Sequence, residues 1–388
     1  MTQDEAAPDK RRILAQNLFL AAASAVFFLA ALEGMARLAG QQPCLTLTGQ
    51  AEGAETKVRS HPLREYELVP GSTFTFEREA ALRHNLSLDY LDAWERIDYR
   101  INSLGLRGAE VNTAKPEGMY RILVLGDSVA FGWGVEEQDA LVNQLQQRLN
   151  QGGSAPRFEV WNAGVPGYAT WHELVYLVEK GATFEPDLIL VTFLFNDVDG
   201  NNEAVHNQPL GVGAAARTFT LLSSRSALLC FVRNSALSFR LRRLQPCQGP
   251  NCWDQTVGLL GELVQQSRKL GSALALVAFP MRLQVESNAE PGYYDRALGE
   301  NPREGYQDII ARLCRERGIA YLDLQPAFQR AMDSQADTLF LDADHPNAKG
   351  HQVAAEAIHQ FLTTVEPLAQ TFRRASYPVL GYVNGVHK

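Results

Sequence analysis

The sequence predicts an α/β protein of three αβα layers around a parallel five-stranded sheet, with a transmembrane helix at its N-terminus. Short apolar segments alternate with segments of helical spacing. Strands that are apolar along their whole length belong to parallel sheets covered on both faces. One stretch near the N-terminus, 18–32, carries no charge. A composition of 46% hydrophobic and 21% charged residues excludes a disordered chain and a multi-span membrane protein.

Apolar runs and helical spacing define the order of the elements. The predicted strands span residues 121–126, 158–164, 188–195, 273–279 and 319–324. The predicted helices span residues 139–149, 171–180, 255–270, 305–317 and 347–362. Together they indicate a main domain at 119–365 with a long insertion at 198–253. We expect a linker and a small irregular region at 41–118, and a C-terminal tail at 366–388.

Segment 13–36 predicts a membrane anchor. About 20 apolar residues span roughly 30 Å as a helix, which is enough to cross a bilayer. Lys10, Arg11 and Arg12 precede the apolar stretch. We therefore expect a cytoplasmic tail at 1–12 and the rest of the chain outside, in the periplasm. A cleaved signal peptide and a buried core helix are the alternatives.

Charge and cysteine usage indicate which partners to expect. A net charge of −8 disfavours nucleic acid. Within the insertion, stretch 217–243 is basic and contains no acidic residue. It predicts a membrane-surface contact, a lid over an anionic substrate or a solvated helical face. Cys247 and Cys252 either form a small disulfide loop or remain thiols. No cluster has metal-ligand spacing, so no metal or cofactor is expected.

Polar residues follow the predicted strands where those strands end. The segments are GDSV at 126–129, NAGVPG at 162–167, FND at 195–197 and, past the fifth strand, DADHP at 342–346. The carboxyl ends of parallel strands meet at one edge of a sheet, which is where such folds bind their ligands. We therefore expect these four segments to converge on one site.

In this combination the chain resembles the SGNH (GDSL) hydrolase family. The name-giving positions occur in family order as Ser128, a glycine of NAGVPG, Asn196 and His345. The resemblance covers roughly residues 119–365. It implies a flavodoxin-like sheet and a hydrolase that acts on ester bonds. Together with the predicted anchor at 13–36, it indicates a membrane-anchored bacterial member of the family.

Two positions depart from the pattern of that family. Val129 stands where GDSL has leucine, which is a mild apolar change. Leu194 stands where a GxND motif has glycine, which puts the approach of the backbone near Asn196 in question.

The residue types in these motifs also make chemical sense without the family. A neutral Ser128 needs a base to act as a nucleophile, and His345 can take its proton and return it to the leaving group. Asp342 can hold the other ring nitrogen of His345. Asp344 is the alternative partner for that nitrogen.

Attack on an ester creates an oxyanion that needs hydrogen-bond donors. The Ser128 N–H, a glycine N–H of the NAGVPG loop and the Asn196 amide are available. The resemblance assigns the glycine donor to Gly167, with Gly164 as the second choice. Asp127 is expected to support the turn, and Asp197 either supports the site or caps a helix.

Three functions remain open at this level. The first is a serine esterase that removes acyl groups, above all acetyl, from a cell-envelope or secreted glycan or lipid. The second is a glycan O-acetyltransferase that uses the same residues. The third is a non-catalytic envelope assembly or binding factor, which the complete set of Ser128, His345 and Asp342 disfavours.

Overall fold

The computed structural model describes residues 10–38, 47–51, 54–61, 64–77, 96–151, 157–206, 226, 228–229, 253–286, 306–334 and 337–364. The chain divides into two compact units. The first unit comprises Met1–Leu47, Arg59–Pro62 and Leu210–Leu244. The second comprises Thr48–Val58, Leu63–Pro209 and Gln245–Lys388, and it contains the predicted site.

The centre of the second unit is a parallel five-stranded sheet, as the sequence predicts. Its strands are β6 (Tyr120–Leu125), β7 (Phe158–Asn162), β8 (Leu188–Phe193), β9 (Ala273–Ala278) and β10 (Ala320–Asp323). They lie in the order β10-β9-β8-β6-β7, and every neighbouring pair is parallel. The first strand thus lies between the second and the third, which is the flavodoxin-like order. β6 and β8 are buried at every position, in agreement with their unbroken apolar sequence.

Helices flank this sheet and form the outer layers. They are α2 (Ser128–Phe131), α3 (Leu141–Leu149), α4 (Thr170–Glu179), α5 (Asn196–His206), α6 (Asp254–Leu270), α7 (Arg282–Val285), α8 (Gln307–Arg317), α9 (Gln325–Ser334) and α10 (Ala348–Thr364). The five helices predicted from spacing correspond to α3, α4, α6, α8 and α10. The sequence reading missed α9, in which only Phe328 is buried, because one buried position leaves a weak apolar period.

The region at 41–118 corrects our expectation of irregular structure. Its described residues form a second sheet of β1 (Leu47–Ala51), β2 (Ala54–His61), β3 (Glu65–Leu68), β4 (Thr73–Glu77) and β5 (Arg96–Arg100). The order is β1-β2-β4-β5, with β3 paired to β2. Phe74, Phe76, Ile97 and Tyr99 alternate with polar residues and are all buried. Because β4 and β5 have only five residues each, the two-residue period repeats just twice in each strand and is hard to recognise from the sequence.

The second sheet is joined to the main sheet through Arg107. Its N–H donates to the carbonyl of Asn162 at the end of β7 (3.2 Å). Its buried guanidinium donates to the carbonyl oxygens of Phe131 (2.5 Å), Gly132 (2.5 Å) and Val135 (2.6 Å). These carbonyls lie at the end of α2 and just beyond it. The N-terminal region therefore holds the helix that begins at Ser128.

The first unit contains α1 (Lys10–Leu38). Its part Phe19–Leu38 has a mean hydropathy of 1.9 and is not buried within the protein. This helix is long and apolar enough to cross a membrane or to act as a signal sequence. Glu33 accepts hydrogen bonds from the Ser226 hydroxyl (2.7 Å) and the Leu228 N–H (3.0 Å). Cys247, Cys252, the tail at 366–388 and nearly all of stretch 217–243 lie outside the described residues.

Candidate active site

Ser128 lies in the tight turn between β6 and α2. The carboxylate of Asp127 accepts a hydrogen bond from the Val129 N–H (2.8 Å) and so caps this short helix, as the sequence suggests. A side chain at Gly126 would overlap Thr192 of β8, so only glycine lets the chain turn here. Ser128 is the first residue of α2, and its N–H has no intrahelical acceptor. The hydroxyl and N–H of Ser128 are thereby presented at the carboxyl edge of the sheet.

His345 and Asp342 reach Ser128 from the loop before α10. The Nε2 atom of His345 lies 2.8 Å from the Ser128 Oγ. The Nδ1 atom lies 2.8 Å from the Asp342 Oδ2. The other carboxylate oxygen, Oδ1, accepts the backbone N–H groups of His345 (2.8 Å) and Asp344 (3.0 Å). The structure therefore brings Ser128 together with His345, 217 positions later, and with Asp342 in one hydrogen-bonded chain.

The charge state of Asp342 decides which ring nitrogen of His345 carries the proton. Burial alone would raise the pKa of this carboxyl, but the charge and hydrogen bonds of His345 and the backbone N–H groups hold it well below its usual range. The ionised carboxylate only accepts hydrogen bonds, so Nδ1 carries a hydrogen. Nε2 is then free to accept the proton of Ser128.

Asp344, the alternative partner, lies farther from the ring. Its Oδ1 is 3.4 Å from the His345 Nδ1, against 2.8 Å for Asp342. The geometry therefore favours Asp342. Asp342, Asp344 and His345 each place one oxygen or nitrogen atom within 4.8 Å of the other two, as metal ligands would. Both ring nitrogens of His345 are already engaged by Ser128 and Asp342, so the cluster is explained without a metal.

Asn196 begins α5 and turns its side chain towards the Ser128 turn. Its Nδ2 donates one hydrogen to the Asp127 Oδ2 (2.9 Å). An amide nitrogen carries two hydrogens, so one remains for a second acceptor. Leu194, the departure from the family pattern, is buried. Its N–H is held by the Asp197 Oδ2 (2.9 Å), so the turn closes without glycine at that position.

A group of buried carboxyls lies behind this turn. Glu173 is 1% exposed, and its carboxyl oxygens have no hydrogen-bond partner among the described residues. Burial, and the neighbouring charges of Asp197 and Asp127, raise its pKa well above the ordinary value. Burial and Asp127 do the same for the pKa of Asp197. Protonation removes the charge that burial penalises, so the pKa values of Glu173 and Asp197 lie well above those of ordinary carboxyls.

The NAGVPG loop packs directly against the backbone of the Ser128 helix. A side chain at Gly164 would overlap the N atom of Phe131 and the Ala130 residue. The Val165 N–H donates to the carbonyl of Gly126 (3.0 Å). Gly164 is thus needed for close approach, and the loop lies beside the Ser128 turn.

Gly167 occupies a special place within this loop. The Tyr168 N–H donates to the carbonyl of Val165 (3.0 Å), which closes a four-residue turn. Pro166 is its second residue, and Gly167, at φ +80°, is its third. These are the features of a type II turn, which needs a positive φ at the third position. Within the described part of the chain, no acceptor is hydrogen-bonded to the Gly167 N–H.

The sequence reading missed the residues that hold this glycine turn from outside. The Tyr66 hydroxyl, in β3, donates to the carbonyl of Pro166 (2.7 Å). The Tyr168 hydroxyl donates in return to the carbonyl of Tyr66 (2.6 Å). Arg64, which is 2% exposed, donates to the Tyr168 Oη (2.9 Å) and Glu179 (3.2 Å). Arginine and tyrosine in a poorly patterned region give no sequence signal of such a role.

Comparison with known proteins assigns the chain to a family. Residues 124–353 match the model of the GDSL-like lipase/acylhydrolase family. This match spans more than half of the 388 residues, so the chain belongs to that family. It is a hydrolase that acts on ester bonds. No curated protein matches the chain.

Several solved structures are similar to the chain. TesA is 18% identical with a TM-score of 0.40, and the match covers 64% of this chain and 99% of TesA. LAE5, an α/β hydrolase from the metagenome of Lake Arreo, Spain, is 18% identical with a TM-score of 0.41, covering 64% and 96%. A catalytic mutant of Axe2, an acetylxylan esterase from Geobacillus stearothermophilus, is 15% identical with a TM-score of 0.39, covering 64% and 96%.

Proposed function

We propose that the chain is a membrane-anchored serine esterase that removes acyl groups, above all acetyl, from a cell-envelope or secreted glycan or lipid. The observation that carries the proposal is the hydrogen-bonded chain from Asp342 through His345 to Ser128, with 2.8 Å at each step. Family membership establishes ester hydrolysis. The acyl group, the acceptor, the residue roles and the location are the proposed part.

In the first half of the reaction, Ser128 forms an acyl-enzyme. The Oγ attacks the ester carbonyl carbon while the His345 Nε2 takes the hydroxyl proton. Asp342 stabilises the resulting imidazolium through Nδ1. The tetrahedral intermediate collapses as the C–O bond of the alcohol breaks, and His345 returns the proton to the departing oxygen. The alcohol leaves, and the acyl group stays on Ser128.

Water completes the cycle by the same route. His345 takes a proton from water, the hydroxide oxygen adds to the acyl carbon, and collapse returns the proton to Ser128 with release of a carboxylic acid. The oxyanion of each intermediate would be held by the N–H groups of Ser128 and Gly167 and by the remaining hydrogen of the Asn196 amide. Each such donor typically contributes about 10²–10³ in rate.

The proposed location rests on α1 and on charge. The basic residues Lys10, Arg11 and Arg12 precede the span Phe19–Leu38. Basic residues next to a span favour the cytoplasmic side, which would leave the hydrolase domain in the periplasm. The hydrogen bonds of Glu33 to Ser226 and Leu228 tie the insertion to the end of α1. This contact supports a position of the basic stretch 217–243 at the membrane surface, among anionic headgroups.

Hydrolysis of p-nitrophenyl acetate by the full chain in detergent tests the proposal. Ser128→Ala should remove all activity above that of buffer and all labelling by a fluorophosphonate. Ser334→Ala is a matched control, because that hydroxyl is exposed at the end of α9. Activity of Ser128→Ala equal to that of the native chain would refute the assignment.

Substrate class is tested with the same preparation. Acetylated xylan, acetylated peptidoglycan fragments and short-chain glycerol esters are compared by release of acid. We expect kcat/KM to be highest for an acetylated glycan. An excess of unacetylated glycan acceptor distinguishes hydrolysis from transfer, because acetylated acceptor forming faster than free acetate would identify an acetyltransferase.

A further inference from the structure

The second sheet contributes a residue to the geometry of the site. We propose that the Tyr66 hydroxyl is a positioning residue that aims the Gly167 N–H into the oxyanion hole by holding the Pro166–Gly167 peptide plane. The inference rests on the proposed function, in which Gly167 is an oxyanion donor. Tyr66 lies outside the 124–353 span that matches the family model.

The Pro166–Gly167 peptide bond links the Tyr66 contact to the direction of the Gly167 N–H. A bond that does not precede proline is trans, and its C=O and N–H point in opposite directions within one plane. The carbonyl of this plane belongs to Pro166 and accepts the Tyr66 hydroxyl at 2.7 Å. The N–H of the same plane belongs to Gly167. A donor that fixes the carbonyl therefore fixes the direction of the N–H as well.

The alternative turn type would point the Gly167 N–H the other way. Type I and type II turns differ mainly by a rotation of this central plane of about 180°. That rotation would reverse the Gly167 N–H and remove the carbonyl of Pro166 from Tyr66. The observed φ of +80° at Gly167 belongs to type II. The hydrogen bond from Tyr66 thus favours the one arrangement in which the N–H points away from Tyr66.

The Tyr66 hydroxyl also fills the space beside Gly167. A Cβ atom there would lie 2.6 Å from the Tyr66 Oη. The Tyr66 hydroxyl therefore lies close against the carbonyl face of the turn, and the positive φ of Gly167 strains any residue other than glycine. Burial and neighbouring charges raise the pKa of Tyr66 well above 10, so the hydroxyl stays protonated and remains a donor.

Tyr66 is itself held in place by its neighbours. The Tyr168 hydroxyl donates to the carbonyl of Tyr66 (2.6 Å), and their rings lie 5.5 Å apart. Arg64 donates to the Tyr168 Oη (2.9 Å) and forms an ion pair with Glu67 (3.0 Å). A donor anchored by its own hydrogen bonds costs little reorganisation during the reaction.

Tyr66→Phe removes the hydroxyl and keeps the ring. The control is Tyr321→Phe. Tyr321 lies on the edge strand β10, away from the site, and its hydroxyl also donates to a backbone carbonyl, that of Gln307 (3.1 Å). The full chain in detergent is assayed with p-nitrophenyl acetate, with rates divided by the number of sites titrated by a fluorophosphonate. We expect kcat to fall about tenfold in Tyr66→Phe with KM within twofold, which is less than the loss of a whole donor. Tyr321→Phe should keep the native kcat.

A second readout separates positioning from support of the fold. Methylboronic acid forms a tetrahedral adduct on the serine whose oxygen occupies the oxyanion hole. Its Ki should rise about tenfold in Tyr66→Phe, in parallel with the fall in kcat, while the pH midpoint of kcat/KM stays at the native value. Replacing Tyr66 by p-aminophenylalanine keeps the ring and a donor, and should restore kcat to within threefold.

Several results would overturn the inference. They are a native kcat or a native boronate Ki in Tyr66→Phe, a loss confined to KM, and no recovery with p-aminophenylalanine. A Tyr66→Phe chain without titratable sites also counts against it, since the hydroxyl would then serve the fold. If Ser128→Ala is inactive while Tyr66→Phe is native, only this inference fails. If Ser128→Ala keeps its activity, the proposed function fails first.

Discussion

Replacing Asp342 by Asn should disable the base while leaving the fold intact. The Asp342 Oδ1 accepts two backbone N–H groups, at 2.8 and 3.0 Å. In Asp342→Asn only the amide oxygen can keep both bonds. A flipped amide would lose them, at about 1 kcal/mol each. The total of about 2 kcal/mol corresponds to a population ratio of about 30, so the amide nitrogen faces His345.

An amide nitrogen in that position inverts the tautomer of His345. It donates to Nδ1, which must then lose its hydrogen, and Nε2 carries the proton instead. Nε2 faces the Ser128 Oγ at 2.8 Å and can no longer accept its proton. In a serine-protease triad the corresponding change lowers kcat roughly 10⁴-fold, which is about 5 kcal/mol in activation free energy. We expect a loss of the same order here.

The assay is kcat on p-nitrophenyl acetate with the full chain, together with the thermal midpoint. Asp342→Asn should keep the native midpoint, because its backbone hydrogen bonds survive. Asp344→Asn is the matched control, since its carboxylate lies 3.4 Å from the same ring nitrogen. It should lower kcat less than about fivefold, as partly exposed pairs contribute little. Two results would refute this reasoning. One is a loss of kcat in Asp344→Asn as large as the loss in Asp342→Asn, and the other is an Asp342→Asn chain that keeps more than a tenth of the native kcat.

Three further predictions concern the surroundings of the triad. Asn196→Ala should lower kcat about 10²–10³-fold with little change in KM, whereas Asn202→Ala in the same helix should keep native kinetics. Gly164→Ala should lower the free energy of unfolding by about 1–3 kcal/mol, because the new methyl overlaps the backbone N of Phe131. A native denaturation midpoint would contradict this. Burial raises the pKa of Glu173, so stability should fall as pH rises above about 4.3, the unfolded value. Glu173→Gln should make that fall smaller, with the part due to Asp197 remaining, because the pKa of Asp197 is raised in the same way. The thermal midpoint of Glu173→Gln minus that of the native chain should therefore grow between pH 4 and 8, and a constant difference would refute the assignment.

Much of the main sheet could be predicted from the sequence. β6 and β8 are uninterrupted apolar runs because both faces of these strands are covered, and such runs are visible without any partner strand. Helices α3, α6 and α8 have a clear apolar period for a related reason, since each buries one face. Boundaries differ by one or two residues where capping decides the ends.

The second sheet was harder to predict for a physical reason. Its strands are short, and β5 buries only Ile97 and Tyr99 in an alternating pattern. Two buried positions barely exceed what chance produces. Arg107 and Arg64 are buried in this region. Because arginine is usually exposed, the sequence predicts surface positions for both.

The sequence by itself determined the sheet and the family, and it predicted Ser128, His345 and either Asp342 or Asp344 as site residues, because polar residues at the ends of apolar parallel strands converge on one edge of the sheet. Only the tertiary structure decided which neighbour serves each of them. Asp342 rather than Asp344 lies at 2.8 Å from the His345 ring, and Tyr66, about 100 residues before the glycine turn, reaches the carbonyl of Pro166. Hydrogen bonds depend on distances and angles between groups far apart in the chain, and no local pattern of residues records them.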